Sequence, residues 1–331
     1  MLLAWLAATG CTEYDVIVHD GADIFYQDPA SAVDILMIVD DSCSMGPYQN
    51  ELSTNFAEFI SFFVDANIDY HIGVVTTDVY ASTGGRIIDG TVITNDTPDG
   101  EEIFKGLVRV GTEGSGTEMG LEAAYLALTE PRISTSNAGF LREDASLSLI
   151  FVSDEEDSSP LPTYEYVRTF MDIKGARERD IFNASALVVT DVDDCGFGNS
   201  SGSTEGDRYI DVAGMSAGVI GNICAESFSD IVTDLSLNAS RLRDTFYLAN
   251  EPTADTIEVS VDGVLLDCTE GGFSYQRVWD DDEEIERPAI VFERDWIPAP
   301  SSQIAIRYDY GSGETSGFCV ETATTEDTGG V

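Results

Sequence analysis

The chain has 331 residues, 43% of them hydrophobic and 10% aromatic, enough for one large packed domain and a small second one. Its 16 Lys and Arg stand against 61 Asp and Glu, a formal charge of −45. A surface of that sign repels nucleic acid and anionic lipid headgroups, so neither is an expected partner. The acidity reads first as a solvated surface suited to a salty or extracellular milieu, and second as a diffuse buffer for divalent cations. No stretch reaches the roughly 20 apolar residues needed to span a bilayer.

The first eleven residues, Met1-Leu-Leu-Ala-Trp-Leu-Ala-Ala-Thr-Gly-Cys11, form a short apolar run without Lys or Arg ahead of it. Ala8, Thr9 and Gly10 before Cys11 resemble a bacterial lipobox, which implies lipidation of Cys11 and membrane contact only through that anchor. Thr12 after the cysteine points to an outer-membrane or surface destination of the bacterial cell envelope. Residues 12–31 read as an irregular lead-in linker. Ile35–Val39 is a continuous apolar run of five, as in a parallel strand covered on both faces, and it opens into Asp40-Asp-Ser-Cys-Ser-Met45. An Asp-x-Ser-x-Ser loop offers a carboxylate and two hydroxyls, hard oxygen donors suited to Mg²⁺, with Mn²⁺ or Ca²⁺ as alternatives.

After Pro47, Leu52, Phe56, Phe59, Ile60 and Phe63 share one face of a helix running to about 64. Ile72–Thr76 is a second apolar strand, and 81–100 reads as a hairpin. A short helix is expected over 101–109. Then Gly111-Thr-Glu-Gly-Ser-Gly-Thr117 leads into a helix from Glu118 to Leu128. Leu147–Val152 is a third buried strand, ending in Ser153-Asp-Glu-Glu-Asp157. A helix over 163–175, a strand over 185–190, helices near 209–219 and 226–239, and a last core strand over 245–248 follow. Strands alternating with helices predict an open, doubly wound α/β fold with a mostly parallel sheet. From 251 the pattern changes to alternating β residues with Asp262-Gly263 as a turn, so 251–310 reads as a small antiparallel β module. The tail 311–331 has few apolar residues and reads as flexible.

Six cysteines fit an exported chain. With Cys11 lipidated, chain order pairs Cys195 with Cys224 and Cys268 with Cys319, though spacing does not fix connectivity. Cys43 is then a free, poorly exposed thiol. Four Asn-x-Ser/Thr triplets begin at Asn95, Asn183, Asn199 and Asn238, the second just before a core strand.

Asp40-x-Ser42-x-Ser44 after a buried strand, Gly116-Thr117 before a helix, and Asp154 at a later strand end occur in an order that resembles the von Willebrand factor A (vWA) family. The resemblance covers about 32–249. The wording around Asp40, Gly73–Asp78 and Phe151–Asp157 is similar to the extracytoplasmic bacterial branch, often lipoproteins with a small β module after the A domain. It implies a metal-ion-dependent adhesion site formed by Asp40, Ser42, Ser44, Thr117 and Asp154. In that site Ser42 and Ser44 bind the ion directly, and Thr117 joins them in one state. Asp40 and Asp154 act mainly through water, and a partner protein's Asp or Glu carboxylate fills the open position. Cys43 departs from the small residue common at its place. Glu155, Glu156 and Asp157 are either a second cation site or a solvated acidic loop.

The alternatives are a structural subunit of a surface assembly, with an architectural or absent metal, and a carboxylate-dependent hydrolase. Enzymatic signals are thin. There are two histidines, His19 in the lead-in and His71 at a core strand, where a packed or edge residue is expected. No phosphate loop with its Lys occurs. The expectation is a binding protein, not an enzyme.

Overall fold

The computed structural model describes residues 20–27, 32–175, 182–195, 203–280, 283, 285–293 and 296–319. The proposed lipidation site Cys11, with His19 and Asn199, lies outside them. The chain divides into two compact units, Asp28–Leu242 and the combination of Met1–Gln27 with Arg243–Val331.

Asp28–Leu242 is built on the strand β2 (Ala32–Val39), whose residues from Val33 onward are all buried. It pairs in parallel with β3 (Asp69–Thr76) on one side and β5 (Ser146–Ser153) on the other. The sheet extends through β6 (Phe182–Val188) to a three-residue β7 (Ile220–Asn222), both parallel. At the other edge β4 (Ile93–Thr94) runs antiparallel to β3, giving the order β4-β3-β2-β5-β6-β7.

The period of two along β2 separates two cores. Val33, Ile35, Met37 and Val39 pack with Leu52, Phe59 and Phe63 of α1 (Gly46–Asp65), Phe104 and Leu107 of α2 (Gly100–Leu107), and Val232, Leu235 and Ala239 of α6 (Ser229–Ser240). Leu36 and Ile38 pack with Leu121 and Ala124 of α3 (Gly120–Leu128), Tyr166 and Phe170 of α4 (Thr163–Lys174), and Tyr209 and Val212 of α5 (Asp207–Met215). Helices therefore cover both faces, and the expected mixed α/β fold with a mostly parallel sheet is observed.

The second unit is all-β. Strands β1 (Asp20–Tyr26), β13 (Gln303–Asp309), β9 (Glu258–Val261) and β10 (Val264–Leu265) form one antiparallel sheet. The other contains β11 (Phe273–Asp280), β12 (Ile285–Phe292) and β8 (Thr245–Tyr247). Phe246, Ile290 and Phe292 share one core with Val259, Ile304 and Ile306, so the two sheets face each other.

Several expectations are corrected. Residues 20–26, read as irregular, are a strand whose outward residues Ile24 and Tyr26 are apolar and whose inward side includes Gly21 and Asp23. That inversion hides it from a periodicity reading. Gly21 sits there because a Cβ would lie 2.8 Å from the Tyr308 ring, while Asp23 accepts from Tyr308 at 2.7 Å and from the Ala249 N–H at 2.9 Å. The strand at 245–247 belongs to this unit, where Phe246 fills the β core, and β7 ends the parallel sheet instead. Segment 81–100 is a 3₁₀ turn at Ile88–Gly90 followed by β4, which pairs with β3 and makes no hairpin of its own. Of the tail, 311–319 packs on the module: Phe318 contacts Phe273 and Tyr275, and Tyr275 donates to the Gly313 carbonyl at 2.9 Å.

The chain leaves the β unit at Gln27 and re-enters it at Arg243. Buried Gln27 joins these points, donating to the Arg243 carbonyl at 2.8 Å and accepting from its N–H at 3.1 Å. Among the described residues two disulfides are present, Cys195–Cys224 and Cys268–Cys319, in the expected pairing, spanning 29 and 51 residues. Cys43 is free but exposed, contrary to the expectation of a sheltered thiol. Asn183 is buried and bonded to Ser148 and Asn238, which leaves it closed to glycosylation.

Near the start of β2, buried Asp34 accepts from the Arg142 guanidinium and backbone at 2.7 Å each. Lys174, 2% exposed, lies 3.5 Å from Oδ2, the oxygen that accepts the Arg142 N–H, and half-buried His71 lies 3.9 Å from Oδ1. His71 donates from Nδ1 to the Phe140 carbonyl at 2.8 Å, the packed role expected of it. Desolvation lowers the Lys174 pKa, so its charge depends on Asp34. Asp34→Ala is expected to cost about 3–5 kcal/mol of stability, measurable by urea denaturation, because it leaves buried cations uncompensated.

Candidate metal centre

Parallel strands deliver their next residues to one edge of the sheet, and ligands of open α/β folds bind in the crevice there. β2, β3 and β5 end in register at Val39, Thr76 and Val152, so Asp40 emerges between Thr77 and Ser153. The Asp40 N–H donates to the Val152 carbonyl at 2.9 Å, and the Thr77 N–H to the Val39 carbonyl at 3.3 Å. Asp40 is buried with both oxygens engaged. Oδ1 accepts from the Ser42 N–H at 2.7 Å, closing the loop on itself, and Oδ2 accepts from Ser153 Oγ at 2.6 Å. Gln49 on α1 donates to the Asp40 carbonyl at 2.9 Å and to the Gly111 carbonyl at 2.7 Å, tying the two site loops together.

The loop brings Ser42 Oγ to 3.1 Å from Ser44 Oγ, which donates to Asp154 Oδ1 at 3.0 Å. Ser203 donates to Asp154 Oδ2 at 3.0 Å. Four of the five expected site residues, Asp40, Ser42, Ser44 and Asp154, therefore converge. Thr117 does not join them. It is exposed, and its N–H donates to Ser115 Oγ at 3.1 Å in a local turn. Its loop is held by the Gly114 N–H, which donates to the Asp41 carbonyl at 2.8 Å. Gly114 is required there, since a Cβ would lie 2.2 Å from the Asp41 carboxyl carbon.

The residue that does point inward from this loop is Glu118, 1% exposed, whose Oε2 accepts from Thr77 Oγ1. Sequence reasoning missed it because an acidic residue opening a helix reads as a dipole partner. Ser153 and Ser203 were missed as well; they act on Asp40 and Asp154, and only the fold reveals those contacts.

Burial, then the charge of Asp40, raises the pKa of Asp154, of Glu155 and, well above the usual carboxylate range, of Glu118. Asp41 is pushed up to about 6 by burial, then by Asp78 and Asp40. Among the described residues no Lys, Arg or His comes within ion-pair distance of Asp40, Asp154, Glu118 or Glu155. Nor, among them, do three His, Cys, Asp or Glu side chains group to hold an ion by themselves. The donor set is hydroxyl-rich, as hard cations accept. Its spacing fits one: adjacent ligands of an octahedral Mg²⁺ at roughly 2.1 Å lie roughly 3 Å apart, against 3.1 Å for the Ser42 and Ser44 hydroxyl oxygens.

The acidic run after Asp154 is not a solvated loop throughout. Asp157 is buried, pairs with Arg208 at 2.9 Å and accepts from the Leu121 N–H at 3.1 Å. Tyr209 and Ser159 take the N–H groups of Gly120 and Glu122, so side chains satisfy the first turn of α3. Glu156 accepts from the Arg208 N–H at 3.1 Å.

No protein-family model matches the chain, and no curated protein sequence matches it. Among solved structures it is similar to proximal thread matrix protein 1 from the mussel byssus, with 15% identity, TM-score 0.39, and coverage of 69% of this chain and 52% of that one. It is also similar to the pilus adhesin SpaC from Lactobacillus rhamnosus GG, with 12% identity, TM-score 0.43, and coverage of 88% and 40%. A structure of the mussel protein with a zinc-occupied MIDAS motif matches at 17% identity and TM-score 0.37, covering 69% and 52%. The chain thus spans about half the length of the mussel protein and 40% of the adhesin.

Asp157→Ala is expected to lower stability by about 3 kcal/mol in chemical denaturation, since it strands Arg208 and an α3 N–H together. Asp157 touches none of the converging oxygens, so ion binding is expected to persist in the folded fraction.

Proposed function

We propose that Asp28–Leu242 is a vWA-type domain that binds a divalent cation, Mg²⁺ first and Mn²⁺ or Ca²⁺ as alternatives, and recognises a partner protein through it. The observation that carries this reading is the 3.1 Å spacing of the Ser42 and Ser44 hydroxyl oxygens, the edge length of an octahedral site, with Asp154 bonded to Ser44 and Asp40 buried beside them. Ser42 and Ser44 would hold the ion directly, with Asp40 and Asp154 oriented towards its water shell. When bound, the ion supplies a Lewis-acidic open position that accepts a carboxylate. Ser153 and Ser203 orient the two aspartates, and Gln49 keeps the loops together.

Few charged direct ligands leave a bound divalent ion electrophilic, which favours an Asp or Glu side chain of a partner. This is recognition chemistry and needs no general base, so the function is binding and not catalysis. A carboxylate partner must approach a molecule of formal charge −45. Screening over roughly 8 Å at physiological ionic strength leaves the local ion dominant at contact. Association is therefore slow and salt-assisted, or the partner surrounds its acidic anchor with basic residues. Two disulfides support an extracytoplasmic location, and the Cys11 motif supports a lipid anchor there.

Calorimetric titration of Mg²⁺, Mn²⁺ and Ca²⁺ into the chain is expected to show one saturable site that the Asp40→Ala/Ser42→Ala variant lacks. An Asp-containing peptide that binds in Mg²⁺, and is released by chelator, would extend the result to recognition. Identical titration of both proteins would leave only diffuse acidic binding and sink the proposal.

A further inference from the structure

A strand at the edge of a sheet can recruit a foreign strand through its unpaired N–H and C=O groups. Folded chains blunt such edges by shortness, charge or cover. Among the described residues, the sheet edges other than β1 are blunted in one of these ways. β4 and β10 are two residues long, and β7 and β8 three. β11 has eight, but it carries Arg277, paired with Glu251 at 2.7 Å, and the 311–319 segment packs on its Tyr275. β1 has seven residues, without Pro, Lys or Arg, and stands at the edge of its sheet beside β13. Its charges are Asp20 at the start and Asp23, which turns inward to Tyr308.

The Gln27 N–H donates to the Ser302 carbonyl at 2.8 Å, so the odd-numbered residues of this strand turn their backbone groups towards β13. Antiparallel pairing alternates, and Ala22, Ile24 and Tyr26 therefore turn theirs away from the sheet. Among the described residues no strand lies on that side. The side chains of the same three residues are exposed, Ile24 by 57% and Tyr26 by 60%. Across the sheet Ile24 shares a row with Ala305, Ser260 and Leu265, and Tyr26 pairs with Gln303. Both rows are free of charge on a chain of formal charge −45.

An occupant of this edge has to be an extended strand with uncharged residues where it meets Ala22, Ile24 and Tyr26. β1 itself meets both conditions. Its outward-turned residues are placed symmetrically about Ile24. A two-fold axis there pairs Ile24 with Ile24 of the second copy, and each Ala22 with the other copy's Tyr26. All three pairs are of the kind that exchanges both N–H···O bonds. Neutral meets neutral throughout, and the contact is the same surface on both copies, as a closed dimer requires.

We infer that β1 is a docking edge for a second copy of this chain, joining the two β1 sheets into one continuous antiparallel sheet. The inference is independent of the ion centre. Two strongly acidic copies repel each other except where screening intervenes, over roughly 8 Å at physiological ionic strength. Added salt therefore strengthens this dimer, whereas it weakens an interface held by ion pairs.

The test is sedimentation equilibrium of the native chain, Ile24→Lys and Leu265→Lys, in chelator, at low and at high NaCl. The native chain is expected to dimerise, more tightly by about tenfold or more at high salt. Ile24→Lys sets two ammonium groups opposite each other at the axis and is expected to weaken association by about 100-fold. Ile24 is exposed, so this variant is expected to melt at the native temperature. Leu265→Lys alters the same face at its far edge and is expected to dimerise like the native chain. A native chain that stays monomeric at every salt concentration would overturn the inference. So would native-like dimers of Ile24→Lys. Equal loss in both variants would mean stacking of the two sheet faces in place of edge pairing, and a dimer formed only when Mg²⁺ replaces chelator would mean bridging of acidic surfaces; either result rejects the β1 edge.

Discussion

The site depends on where one carboxylate emerges. β2 is buried on both faces, so its side chains are committed to two opposite cores and its register with β3 and β5 is tightly set. Asp40, the first residue beyond that strand, therefore leaves the sheet at a defined place between Thr77 and Ser153. Both of its oxygens accept hydrogen bonds, one of them from Ser42 within its own loop. The loop's hydroxyls are thus aimed by the carboxylate, and the carboxylate by the sheet.

From that point the site is a problem of negative charge. Asp40, Asp154, Glu118 and Glu155 crowd a partly desolvated edge, and burial together with the charge of Asp40 raises the pKa of the other three. Elsewhere the molecule handles buried acids with cations of its own. Asp34 has Arg142 and Lys174, and Asp157 has Arg208. The contrast between those compensated carboxylates and the uncompensated edge is the strongest physical sign of function in the chain. It also separates the acids by role, since Asp157 lies three residues from Asp154 yet supports α3.

Connectivity adds a second constraint. The α/β unit is inserted between β1 and the remainder of the β unit, so both covalent links to it begin at Gln27 and Arg243. Gln27 bonds to Arg243 through both its amide nitrogen and its amide oxygen, which fixes the two exits beside each other. The β unit is therefore no C-terminal appendage. Its sheet is complete only when the first described strand pairs with the last.

Much was legible before the fold was known. The apolar run of β2, the Asp-x-Ser-x-Ser loop, the later Asp154 and the two cysteine pairs are local or ordinal signals, and local chemistry suffices to find them. They determined the fold class and four of the converging residues. What only the tertiary structure decided involves partners far apart in sequence. Ser153 binding Asp40 and Ser203 binding Asp154 need the sheet and the loop brought together. Glu118 rather than Thr117 faces inward because Thr77 and Ser158, 41 and 40 residues away from it and each other's strangers in sequence, hold that loop. β1 escaped notice because only Phe25 of its inward residues is apolar and large, beside Gly21 and Asp23, and its pairing strand lies at the far end of the chain. A sequence displays which groups a segment carries; which of them end up desolvated beside each other is a property of the packed whole.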